Sequence, residues 1–84
     1  MSARADATLA AIVANVAATG TRWLVWPADV APRGCYGRPV TIDTVQRHLR
    51  RSGYAVPARD GWMELTPAGL AAVEAARAVR AGAA

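Results

Sequence analysis

Nucleophilic or metal chemistry in this chain would have to begin with one cysteine, Cys35, and one histidine, His48. A catalytic thiol needs a base within hydrogen-bond reach and a third group to orient that base. Cys35 lies in a stretch rich in proline and glycine, His48 belongs to a different element, and no Asn or Asp is placed to orient the imidazole. A lone thiol also excludes an internal disulfide and a multi-cysteine zinc site, and it fits a reducing cytoplasm. A single imidazole argues against a metal centre. These residues point away from an enzyme and imply no cofactor and no metal. His48 reads as a side chain packed at the boundary of the core.

The arginines are the other chemically capable set. All ten cationic residues are arginine against six acids, a net charge of +4. Such an excess suits a polyanionic partner. Abundant Ala, Arg, Gly and Val without Lys or Phe is also what GC-rich coding produces, so only the positions of the arginines inform on function. Arg47, Arg50 and Arg51 fall within roughly one and a half helical turns. Arg59 stands beside Asp60-Gly61 and Trp62, while Arg33 and Arg38 flank Gly34-Cys35-Tyr36-Gly37.

Eighty-four residues allow one domain, here 1–84, with one modest core. Alanine supplies about a quarter of the chain, so the large apolar side chains are few and at least one Trp is expected inside. No run is long and apolar enough for a membrane span, and the N-terminus, with Arg4 and Asp6, does not read as a signal peptide. A cytoplasmic protein is expected.

The elements that must position these residues are legible in outline. Leu9, Ile12, Val13 and Val16 make one apolar stripe of a helix over 5–19, with Asp6 near its start and Gly20 as its left-handed stop. Arg22 to Trp26 reads as a short strand. Trp23 and Trp26 should point to opposite faces, one packing against the first helix. Three prolines and two glycines in 27–39 forbid a long helix and leave a single turn at 27–31, with Pro27 first, followed by loop. Thr41 caps a helix over 42–52 whose buried stripe is Ile42, Val45 and Leu49, and Gly53 ends it.

Tyr54–Arg59 and Trp62–Thr66 flank Asp60-Gly61, the pair that sets a two-residue type I′ hairpin turn. That turn would place Val56, Ala58, Met63 and Leu65 on the inner face and Arg59, Trp62 and Glu64 on the outer one. Pro57 cannot donate to a ladder and should sit where its strand faces solvent. Thr66-Pro67 opens a last helix with Leu70, Val73 and Ala76 on its apolar side, interrupted by Arg77 and fraying at Gly82-Ala83-Ala84.

On the helix at 42–52, the face opposite the buried stripe carries Asp43, Thr44, Arg47 and Arg51, flanked by Arg50 and His48. These arginines could neutralise phosphates, and Arg47 could read a guanine edge. Asp43 would repel phosphate unless it accepts from a cytosine amine. A solvated face near a helix C-terminus is the plainer account of the same residues. Trp62 beside Arg59 is open to three roles: steadying the hairpin, docking a protein, or supporting a DNA contact.

The order is helix, short strand, irregular segment, capped helix, Asp-Gly hairpin, helix. The run from Val40 to Arg77 resembles winged helix-turn-helix regulators of the MarR and PadR kind, through Asp60-Gly61 and Leu65-Thr66-Pro67-Ala68-Gly69 followed by Leu70 to Arg77. The resemblance implies an α+β fold of three helices with a wing hairpin and a short additional strand, the helix at 42–52 taking the recognition position. It departs from the pattern in the segment 27–39, where such domains carry a full second helix that braces the recognition helix on the backbone.

The implied function is a small DNA-binding transcriptional regulator, phage-borne or bacterial, contacting double-stranded DNA through Thr41, Thr44, Arg47, Arg50, Arg51 and Arg59. The rival is a protein-binding module, such as a phage-encoded inhibitor of a host or defence complex, docking through Trp62, Trp23 and Tyr36. Pairing of the C-terminal helices would make a homodimer in either case. Clustered exposed aromatics would favour the rival, and an arginine strip running from helix to wing would favour DNA.

Overall fold

The computed structural model describes residues 3–34 and 36–83, so Cys35 and the expectations attached to its thiol lie outside the described residues. The chain forms three helices and one three-stranded antiparallel sheet. Helix α1 spans Ala3–Thr19 and stops at Gly20, whose φ of +74° is the left-handed conformation the sequence suggested. Strand β1 is short, Leu24–Val25. A 3-10 turn follows at Pro27–Val30 with proline in its first turn. Helix α2 covers Ile42–Ser52, strands β2 and β3 cover Ala55–Pro57 and Met63–Leu65, and helix α3 covers Pro67–Ala83.

The segment between the 3-10 turn and α2 is a small closed loop. Arg33 and Pro39 form an isolated antiparallel bridge, Gly34 N–H donates to the Arg38 carbonyl at 2.7 Å, and Val40 N–H donates to the Pro32 carbonyl at 2.9 Å. The Arg33 guanidinium donates to the Gly37 carbonyl. Prolines at 32 and 39 lack the N–H groups a helix would need, so the chain satisfies its polar backbone by folding across itself.

The sheet order is β1-β3-β2, which leaves β2 at an edge, where Pro57 is tolerated. The Asp60-Gly61 turn forms as expected: both residues have positive φ, and Trp62 N–H donates to the Arg59 carbonyl at 3.0 Å. The register behind it corrects the expectation by one residue. Ala55 pairs with Leu65, Val56 with Glu64 and Pro57 with Met63. Ala58 N–H also donates to the Trp62 carbonyl, so Ala58 and Arg59 together oppose Trp62 as a β-bulge.

Pro57 supplies the reason. Hydrogen-bonded and non-hydrogen-bonded pairs alternate along an antiparallel ladder. A continuous ladder from Arg59–Trp62 would set Pro57 at a hydrogen-bonded position opposite Glu64, with no N–H to give. The bulge moves Pro57 one place, into a non-bonded pair with Met63. The inner face becomes Ala55, Met63 and Leu65, all buried, while Val56 and Ala58 are exposed and do not share it.

The core comprises Ile12, Val16 and Ala17 from α1, Val25, Val30, Val45 and Leu49 from the middle of the chain, and Ala55, Met63, Leu65 and Val73. It contains no tryptophan, against expectation. The inward position of β1 belongs to Val25, paired with Met63, so Leu24 and Trp26 point outward and Trp23 precedes the strand. A second correction concerns Ile42, which is 51% exposed. It occupies the first turn of α2, beyond the reach of the core that covers Val45 and Leu49. A third concerns the C-terminus. Helix α3 continues through Gly82 to Ala83, because the alanine-rich segment favours helix, and Ala84 lies outside the described residues.

Two junctions fix the helices. Thr66, ahead of α3, accepts from Gly69 N–H and donates its hydroxyl to the Gly53 carbonyl, while its own N–H reaches the Tyr54 carbonyl at 2.9 Å. A β-carbon on Gly69 would stand 1.9 Å from the Tyr54 oxygen, so the start of α3 can approach the end of α2 only with glycine there. Arg77, which interrupts the apolar side of α3, donates from Nε to the Ala17 carbonyl at 3.3 Å and from Nη2 to the Thr21 carbonyl at 2.6 Å. It satisfies the Ala17 carbonyl in the last turn of α1 and the Thr21 carbonyl in the turn that follows.

Candidate nucleic-acid interface

Helix α2 is held at both ends by its own sequence. Thr41 accepts from Thr44 N–H at 3.2 Å, and the two hydroxyls lie 2.9 Å apart. At the other end Gly53 is left-handed at φ +75° and its N–H reaches the Arg50 carbonyl, while Tyr54 N–H reaches the Leu49 carbonyl. That double bond is a Schellman closure, which stops the helix directly after its arginines. Val45 and Leu49 anchor the inner side of α2 in the core.

The outer side of α2 follows from that anchoring. Asp43, Arg47, Arg50 and Arg51 are exposed, while Thr44 and His48 are half-buried, the latter where a boundary residue should be. Arg47, Arg50 and Arg51 line one shallow groove. Among the described residues, none of their side chains is held in a hydrogen bond or ion pair. The pairing of Asp43 with Arg47, four residues apart and sterically available on a helix, is not made. Three guanidinium groups thus face solvent together, each with its donors free.

The remaining candidates are dispersed. Thr41 is exposed but committed to the cap, so its hydroxyl serves the helix before any ligand. Arg59 is exposed at the hairpin bulge and does not line the groove on α2. Tyr36 projects from the bridged loop at 91% exposure. Trp23 and Trp62 come together, lining a second shallow groove with Thr21, Arg22 and Leu24.

Sequence reasoning missed the partner of Trp62. Trp26 packs against it with ring centroids 5.1 Å apart and planes tilted by 54°, and the Trp26 ring also covers Gly61. The pairs Leu24–Glu64 and Val25–Met63 extend one step to Trp26–Trp62, so the two tryptophans are cross-strand neighbours on the outer face. The alternation of β1 against β3 could have indicated this, had β3 been paired with β1 as well as β2. Val56 joins the same face through the bulge.

Among the described residues, no group of three or more His, Cys, Asp or Glu gathers as a metal site, and no helix is long and apolar enough to cross a membrane. No protein-family model, curated protein or solved structure matches the chain.

Proposed function

We propose that the protein is a small DNA-binding regulator of winged-helix type, bacterial or phage-borne, that lays α2 in the major groove of duplex DNA. The observation that carries this reading is the groove of Arg47, Arg50 and Arg51, three unengaged guanidinium groups on the outer face of a helix capped at both ends. Phosphate neutralisation by such a group releases condensed counterions and supplies sequence-independent affinity. The β1-β3-β2 order, with α2 immediately before the hairpin, supports a winged-helix arrangement in which β2 and β3 form the wing. Arg59 at the wing bulge reaches backbone or minor groove in this reading. The short 3-10 turn and bridged loop stand where a second helix would brace α2, so fewer phosphate contacts are expected than in a full helix-turn-helix.

The deciding experiment titrates a labelled random-sequence duplex with the native chain and with Arg47→Ala/Arg51→Ala at two salt concentrations. Native binding at micromolar concentration or tighter, with a salt slope of several counterions that falls by about two in the double variant, supports the proposal. No binding at low salt refutes it. The protein-binding reading is favoured by two different observations: Trp23, Trp26 and Trp62 gather outside the core, and Arg59 does not continue the arginine groove of α2 toward the wing.

A further inference from the structure

All three tryptophans in a chain with two tyrosines and no phenylalanine stay outside its core. Trp23, Trp26 and Trp62 are 53%, 37% and 40% exposed, and Leu24 and Val56 beside them are also exposed. Register places Leu24, Trp26, Val56 and Trp62 on the outer face of the sheet, and Trp23 shares a groove with Leu24 and Trp62 at its margin. Five of the large apolar side chains exposed on this protein therefore form one surface. A small domain short of core gains most by covering such a surface.

We infer that this face is the contact between two copies of the chain, packed sheet against sheet about a two-fold axis. The sheet edges are closed to a partner: β2 carries Pro57, and the Leu24 carbonyl on β1 is taken by the Thr21 hydroxyl. Association through the sheet would then use its face. Its charges are of both signs, with Arg22 lining the groove at one margin, Glu64 between Leu24 and Val56, and Asp29 bordering Trp26 and Trp62 on the other side. A two-fold contact brings each patch against itself, so a surface carrying a carboxylate among its apolar residues and a cation at its margin can set Arg22 of one copy against Glu64 of the other.

The carboxylates also speak against nucleic acid here, since Glu64 and Asp29 would face phosphate. Large aromatic side chains bury about 150–250 Å² each when covered. The exposed parts of these five residues come to about 400 Å², half of the ~800 Å² that each side of a specific interface buries. The polar rim must supply the rest, which sets the expected affinity in the micromolar range. By contrast, the outward side of α3 offers Val79 as its one large exposed apolar residue.

Sedimentation velocity of the full chain from about 1 to 500 μM tests the inference. The native chain is expected to pass from monomer to dimer within that range. Trp23→Glu and Val56→Glu, made separately at positions outside the core, should each shift the midpoint upward at least tenfold with circular dichroism unchanged. Val79→Glu should leave it in place. A native chain that stays monomeric to 500 μM overturns the inference and leaves the face to some other partner. So does a dimer insensitive to whichever sheet variant remains folded, or one that Val79→Glu dissociates. Because DNA titration reads α2 and sedimentation reads the sheet, either proposal can fail alone.

Discussion

The outer face of α2 and the outer face of the sheet are both exposed, and they were built by opposite means. On α2 a helix closed by Thr41 and Gly53 turns three arginines outward and leaves their charges free, so the surface is polar and strongly hydrated. On the sheet a proline-driven bulge and a two-residue strand turn apolar side chains outward and pair two of them, so the surface is poorly hydrated. Free cations attract at a distance and weaken with salt, while apolar area acts only on contact and is indifferent to moderate salt. The two associations proposed above would therefore be separated by ionic strength.

The most severe way to break that contrast is to remove the junction on which both faces depend. Gly69→Ala forces a β-carbon against the Tyr54 carbonyl, so α3 must move away from the end of α2 and from the hairpin. The expected cost is about 3 kcal/mol or more, a large share of the stability of a domain this size. Thermal unfolding followed by circular dichroism should show a fall of more than 10 °C or no transition, with DNA binding and self-association lost together. An unchanged melting curve would mean that the close approach is relaxed at no cost.

Arg77→Ala should lower stability while leaving both faces chemically intact. Two charge-assisted hydrogen bonds to the Ala17 and Thr21 carbonyls are lost, for about 2 kcal/mol. In a domain of this length that corresponds to roughly 8–16 °C in Tm. At 10 °C, where the variant stays folded, duplex affinity should change less than twofold. A much larger loss of affinity would count Arg77 among the DNA contacts.

The finest distinction lies within α2. Thr41→Ala removes the cap and should cost about 1 kcal/mol by denaturant unfolding, with the salt slope of DNA binding unchanged. Thr41→Ser restores the stability. A reduced slope or a strong loss of affinity in Thr41→Ala without loss of stability would make the hydroxyl a ligand contact rather than a cap.

Much of the fold was legible because its signals are local. Thr41 and Gly53 directly flank the eleven residues of α2 and delimit it, and Asp60-Gly61 dictates its turn without help from elsewhere. Where the reading failed, two local preferences competed or a distant element decided. Asp60-Gly61 demanded one register and Pro57 another, and only the ladder parity between β2 and β3 shows that a bulge reconciles them. Trp26 could be placed only by knowing that β3 pairs with β1, some forty residues away. Ile42 fits a helical stripe as well as Val45 does, and its exposure depends on how far the core extends under α2. Of the candidate site, the three arginines were found from spacing alone, whereas the tryptophan face required the sheet.

Arg77 also bears on the order of events as the chain is made. The carbonyls of Ala17 and Thr21 acquire their guanidinium partner from a residue some sixty positions later. A ribosome-bound chain whose residue 77 is still in the exit tunnel leaves the end of α1 to water, however long α1 itself has been available. Contacts of such separation are slow to close. Helix α1 is thus secured by a side chain that emerges some sixty residues after it, and its C-terminal turn becomes resistant to local opening only once α3 has docked.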